Sequence, residues 1–140
     1  MTLVVNADGE LQLLDKMLKD ALSTDEDYML KLFKNNYTPD EATIVASFSV
    51  ATFTGYATRT LSRAGWNTAA VSTSKAESSY GSAPESWTCG ASGNTVYGYW
   101  VEGQTSTEVL WSERFATSRV LADGDVLNIT PKFTLQSENG

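Results

Sequence analysis

The sequence contains no histidine, and this absence removes several familiar kinds of active site. A serine or cysteine nucleophile activated by histidine is impossible within these 140 residues. Zinc and iron sites draw mainly on His and Cys ligands, and the chain has one cysteine, Cys89. Neither G-x-G-x-x-G nor G-x-x-x-x-G-K-[ST], the common phosphate-binding loops, occurs in the sequence. The sequence therefore predicts a protein that is not an enzyme and holds no cofactor or metal.

Basic residues are few and scattered, and long hydrophobic runs are absent. Ten Lys and Arg stand against 17 Asp and Glu, which gives a net charge of −7. Nucleic-acid binding needs a clustered basic surface, so no nucleic-acid partner is expected. No stretch approaches the ~20 apolar residues of a membrane span, and the first residues lack a signal-peptide pattern. A single cysteine excludes an internal disulfide. We expect synthesis and folding in a cytosol, with no membrane partner.

One segment, residues 8–22, shows a helical repeat. Apolar residues recur there at steps of three or four, and charged residues occupy the opposite side. The repeat consists of Leu11, Leu14, Leu18 and Leu22. Its narrow apolar stripe either covers an open end of a β-structure or docks onto another subunit.

Most of the remaining chain reads as short β-strands separated by turns. The clearest pair, 95–101 and 108–115, is joined by 103–106 and predicts an antiparallel hairpin. A polar loop is expected near 78–81, and Val45, Phe48 and Phe53 are expected to pack under a sheet. The other predicted strands are 28–34, 54–62, 66–72, 85–89, 126–130 and 132–135.

These elements together predict a compact antiparallel β-sandwich of about seven or eight short strands with one N-terminal helix. We expect a single domain over 1–140. Its parts are an N-terminal arm at 1–7, the helix at 8–22, the sandwich at 28–135 and a tail at 136–140.

Carboxylates are the one group that offers catalytic or metal-binding chemistry. Glu102, Glu108 and Glu113 lie on or beside the predicted hairpin, where two of them could serve as a glycosidase pair. The alternative, which we favour, is that they are surface carboxylates. The cluster Asp25-Glu26-Asp27 offers oxygen ligands for calcium but lacks the spacing of a calcium loop, so an exposed loop is favoured.

The four tryptophans, together with six tyrosines, are the remaining candidates for a binding surface. Aromatic side chains suit either a sugar-binding platform or a protein interface. Trp100 and Trp111, however, fall within the two strongest predicted strands. We therefore predict that both are core residues.

Three groups of segments resemble small structural proteins of tailed-phage virions. They are 37–39 with 51–57, 95–99 with 110–115, and 124–125 with 129–135. That family includes capsid decoration (cement) proteins and related head or tail components. The resemblance implies a non-enzymatic virion protein that binds the outside of the assembled head, with the major capsid protein as its partner. The alternative that it leaves open is a tail, baseplate or fibre-attachment component with a host-glycan surface.

A decoration protein acts through contacts across subunit joints. Closed symmetry suits a lattice of equivalent joints, so we expect a homo-oligomer, a trimer before a dimer. The apolar run Leu3, Val4 and Val5 is the predicted partner-binding segment, because it can add a strand to a neighbour's sheet edge. Equally, it can form the first strand of its own domain.

Overall fold

A computed structural model describes residues 14, 17, 18, 26–72 and 75–135. Among them are nine strands, whose pairings are all antiparallel, so the prediction of a mainly β, antiparallel protein is confirmed. Two short 3-10 turns, Val45–Ser47 and Arg63–Gly65, interrupt the loops. The strands are β1 Tyr28–Phe33, β2 Arg59–Leu61, β3 Ala70–Ser72, β4 Lys75–Ser79, β5 Glu85–Thr88, β6 Thr95–Gly103, β7 Val109–Val120, β8 Val126–Ile129 and β9 Lys132–Leu135.

The chain divides into two compact units, each built from separate stretches of sequence. The large unit comprises Glu26–Leu61 and Glu85–Ile129. The small unit contains Ser62–Pro84, residues 130–135 and the described residues before Glu26. The single domain expected over 1–140 stays a prediction.

The large unit is organised around a four-stranded sheet with the order β2-β1-β6-β7. β6 lies inside this sheet and is buried along most of its length. On one face, Phe33, Phe48 and Trp100 form an aromatic cluster, in which Phe48 stacks on Trp100 at 4.6 Å between ring centroids. The β6–β7 pairing confirms the hairpin expected from the sequence. A separate ribbon pairs β5 with β8.

In the small unit, β4 lies between β3 and β9. Trp66 is buried and meets the Tyr80 ring edge-on at 5.4 Å. The polar loop predicted near 78–81 is wrong, because residues up to Ser79 belong to β4. The sequence of this strand lacks apolar alternation, because one of its buried residues is Ser78. The Ser78 hydroxyl can be buried because it donates a hydrogen bond to the carbonyl of Asn67 at 2.7 Å.

Several other boundaries differ from those predicted. The segment expected as a strand at 54–62 pairs only at Arg59–Leu61, and β3 is likewise shorter than 66–72. Conversely, β7 continues to Val120, well beyond the predicted end at 115. Phe48 and Phe53 are buried as expected, whereas Val45 is half-buried.

The predicted arm at 1–7, with Leu3, Val4 and Val5, and the tail at 136–140 lie outside the described residues. So does the predicted helix at 8–22, apart from three residues. Those three, Leu14, Met17 and Leu18, have helical backbone, and both leucines are almost completely buried. The helix as a whole stays a prediction.

Candidate functional site

The second half of β7 departs from regular pairing with β6. Gly98 lies opposite Arg114, and Val96 lies opposite Arg119, so a two-residue step on β6 faces a five-residue step on β7. Residues 115–118 therefore face one residue of β6 and form an irregular bulge on the outermost strand of the sheet. Bulges of this kind are frequent at sheet edges and next to functional sites, where they redirect side chains.

A tight turn links β7 to β8. The amide of Ala122 donates to the Asp125 carboxylate at 2.8 Å, and the amide of Asp125 donates to the Ala122 carbonyl at 3.0 Å. Gly124 adopts φ +88°, which a side chain would disfavour. Strands joined by so short a turn usually pair as a hairpin. Here β8 pairs with β5 instead, and β7 and β8 separate.

A groove of about 930 Å³ occupies the space between these two strands. Two exposed valines line this groove: Val120 is 74% exposed and Val126 is 54% exposed. The residues that line it are Glu113, Phe115, Ala116, Thr117, Ser118, Arg119, Val120, Leu121, Asp125, Val126, Leu127 and Asn128.

Two carboxylates of the groove, those of Glu113 and Asp125, already have partners within the protein. The Tyr99 hydroxyl donates to the Glu113 carboxylate at 2.7 Å. Burial, together with this hydrogen bond and the nearby negative charge, raises the pKa of Tyr99 well above its usual range, so Tyr99 acts as a donor. Asp125 is similarly engaged by the turn. The groove thus combines exposed apolar side chains, occupied carboxylates and two strand edges, an arrangement suited to binding an extended chain.

The three carboxylates singled out on the hairpin are not brought together. Glu102 is buried beside Trp100, accepting from Lys31 Nζ at 2.5 Å and from Trp100 Nε1 at 2.6 Å. Glu113 is directly opposite Tyr99 on the neighbouring strand. Tyr99 and Trp100 are successive residues of β6 and point to opposite faces of the sheet. Glu113, bonded to Tyr99, and Glu102, bonded to Trp100, therefore lie on opposite faces. They cannot flank one scissile bond as a glycosidase pair must. Glu108 is exposed.

Glu26, from the acidic cluster, caps the turn that follows β6. Its carboxylate accepts hydrogen bonds from the backbone amides of Thr105 and Ser106. The pKa of Glu26 is held below its usual value, chiefly by a hydrogen bond from the Ser106 side chain and further by these two amide bonds. Asp27 contributes its carbonyl, which accepts from the Gln104 amide at 2.9 Å. Among residues 26–72 and 75–135, no cluster of acidic or cysteine side chains is arranged to hold a metal ion.

We expect Glu26→Gln to lower the free energy of unfolding at neutral pH. We also expect the stability of the variant to change less than that of the wild type as the pH falls. A carboxylate with a depressed folded-state pKa stabilises the protein above the unfolded-state value, and this contribution is lost as the pH falls through the folded-state pKa. The stability difference between wild type and variant should therefore shrink as the pH falls from 7 toward 3, measured by urea unfolding. Glu108→Gln is the matched control from the same turn. A difference that stays constant with pH would contradict this assignment.

Three of the four tryptophans are buried, namely Trp66, Trp87 and Trp100. The prediction of a core position is confirmed for Trp100. For Trp111 it is wrong, because this residue is half-buried. Trp111 lies on the edge strand β7, where a neighbouring strand covers it from one side, and it meets the Tyr28 ring edge-on at 6.0 Å.

Sequence reasoning missed the groove itself. The signal available was a pair of β-branched apolar residues, Val120 and Val126, on either side of the turn at 123–125. Comparisons with protein-family models, with curated proteins and with solved structures found no match to this chain. In the described part of the chain, no helix has the length and apolar character needed to cross a membrane.

Proposed function

We propose that this protein is a non-enzymatic structural component of a phage virion, a capsid decoration protein that binds the outside of the assembled head. Its partners are the major capsid protein and further copies of itself, in a trimer rather than a dimer. The proposal is supported by the resemblance across 28–135 and by the binding surface of the large unit.

The observation that carries the proposal is the open edge of β7 beside the groove. A sheet edge with no neighbouring strand among the described residues offers backbone donors and acceptors to another chain. Exposed Val120 and Val126 add apolar surface to the same place. A protein that reinforces a shell needs such contact surfaces and no reaction chemistry.

The β-sandwich predicted from the sequence forms part of this proposal. In the large unit, the β5–β8 ribbon is tied to β2 by Arg59, which donates to the Ser86 carbonyl at 2.5 Å and faces Glu85 at 3.6 Å. The Arg59 guanidinium also lies 5.2 Å from the Trp87 ring centroid. Trp87 in turn donates to the carbonyl of Ala57 at 2.7 Å. These contacts support packing of the ribbon against the sheet.

Within this function, residues 1–6 are the proposed connector between neighbouring subunits. The run Leu3-Val4-Val5 gains buried area and main-chain hydrogen bonds when it adds to a neighbour's sheet. Binding that occurs on the assembled shell stabilises that shell by mass action.

We expect deletion of residues 1–6 to leave the protein folded and to weaken its attachment to particles. Particles that lack the protein should release DNA at a lower temperature than decorated ones. Densitometry of gel-separated virions supplies the copy number, which should reach hundreds for a decoration protein on a symmetric shell. A few dozen copies or fewer, or equal heat resistance with and without the protein, would favour the tail or baseplate alternative.

A further inference from the structure

We infer that the groove between β7 and β8 is the acceptor for residues 2–6 of a second copy of this chain. The inference rests on the proposed connector role of residues 1–6 and names the surface that receives the connector. It concerns the contact between copies, which exists with or without a phage head.

The groove lies between two strand edges that are both open among the described residues. β7 ends the four-stranded order, and β8 ends the two-stranded ribbon. A strand entering the groove would pair with β7 on one side and with β8 on the other. It would thereby join the sheet and the ribbon, and each new ladder would satisfy backbone groups of an open edge.

The lining of the groove combines two exposed valines with polar side chains, among them Thr117 and Arg119. Val120 and Val126 are exposed, whereas Val96 and Val101 of β6 are completely buried. The carboxylates of Glu113 and Asp125 already accept hydrogen bonds from within the protein. β-branched apolar side chains of an occupant would cover the two valines.

Residues 2–6 have this chemistry and the necessary reach. Their sequence, Thr-Leu-Val-Val-Asn, carries no charge and has high β-propensity. Seven residues precede the predicted helix at 8–22, and such a stretch spans up to roughly 25 Å when extended. That length is enough to reach a neighbouring copy. Repeated donation from each copy to the next is a head-to-tail contact, which closes into a ring such as a trimer.

Light scattering coupled to size-exclusion chromatography tests the inference on the purified protein. We expect the full chain to have a mass of at least twice 15.2 kDa, and of three times that value for a closed trimer. Deletion of residues 1–6 and the single substitution Val126→Lys should each yield monomers, since one removes the donor and the other charges the acceptor. Ile44→Lys is the matched control, because Ile44 is also exposed, at 62% against 54% for Val126, but does not line the groove. This control should keep the oligomer.

Cysteine cross-linking identifies which copy donates the segment. Because Cys89 is the single native cysteine, the experiment uses a Cys89→Ala background. Chains carrying Val4→Cys, mixed with chains carrying Val126→Cys, should form disulfide-linked dimers that neither chain forms alone. The inference would be overturned by a monomeric full chain or by an oligomer that survives Val126→Lys. It would also be overturned if Val4→Cys and Val126→Cys cross-linked only when both were placed in the same chain. Failure to bind phage heads, with the oligomer intact, would instead count against the proposed function.

Discussion

Replacing Trp100 by alanine is expected to lower the free energy of unfolding by ~3–5 kcal/mol, as for other large aromatic residues removed from a core. Trp100 is 1% exposed, and its ring stacks on Phe48 with an interplanar angle of 8°. The substitution removes this contact and leaves a cavity. It also takes the indole donor away from Glu102, whose carboxylate is buried beside it.

Two further variants separate these contributions in urea unfolding experiments. Trp100→Phe keeps an aromatic ring against Phe48 but loses the indole N–H, so its expected cost is about 1–2 kcal/mol. Trp111→Ala, on the half-buried edge strand, should cost about half as much as Trp100→Ala. Equal losses for Trp100→Ala and Trp111→Ala would show that the aromatic cluster around Phe48 is not the centre of stability in the large unit.

The second large effect is expected from Lys31→Met. Lys31 Nζ lies 2.5 Å from Glu102, whose side chain is 4% exposed, while that of Lys31 is 24% exposed. Loss of the cation leaves a buried carboxylate without its counter-charge. Removing one partner of a buried ion pair typically costs 3–5 kcal/mol, and partial solvent access to Lys31 places the expected loss at ~3 kcal/mol.

A double-mutant cycle with Glu102→Gln measures this coupling. The neutral amide can still accept a hydrogen bond from Trp100, so the double variant should be more stable than Lys31→Met alone. Lys34→Met serves as the control, because Lys34 bonds to Thr52 at an exposed site and its removal should change stability by about 0.5 kcal/mol or less. A comparably small loss for Lys31→Met would mean that the pair contributes little.

The parts of the fold that were predictable from sequence are those with strong alternation or marked turns. The β6–β7 hairpin is rich in aromatic and β-branched residues, and its loop follows Gly103, so both strands could be located. β4 could not be located, because its buried residues are Ala76 and Ser78 rather than large apolar ones. A serine is buried at little cost only when its hydroxyl has a hydrogen-bond partner, here Asn67. That partner is a tertiary contact.

The candidate site was harder to predict, for a geometric reason. Alternation reports which face of a strand is buried, but it does not report which strand edge lacks a neighbour. From the sequence, Val120 and Val126 are indistinguishable from other strand residues. Only the pairing of β8 with β5 shows that they lie beside strand edges without a neighbour in the described part of the chain. Similarly, Glu102 and Glu113 could be weighed as an acid–base pair until the register placed them on opposite faces.

The interleaved order of the strands also determines when the large unit can fold during synthesis. β1 pairs along its whole length with β6, and the ion pair between Lys31 and Glu102 joins residues 71 positions apart. Leu30 and Leu32 therefore emerge from the ribosome long before the strand that buries them. A sheet closed by such distant contacts folds slowly, on a scale of roughly milliseconds to seconds. The nascent chain must stay soluble over that interval.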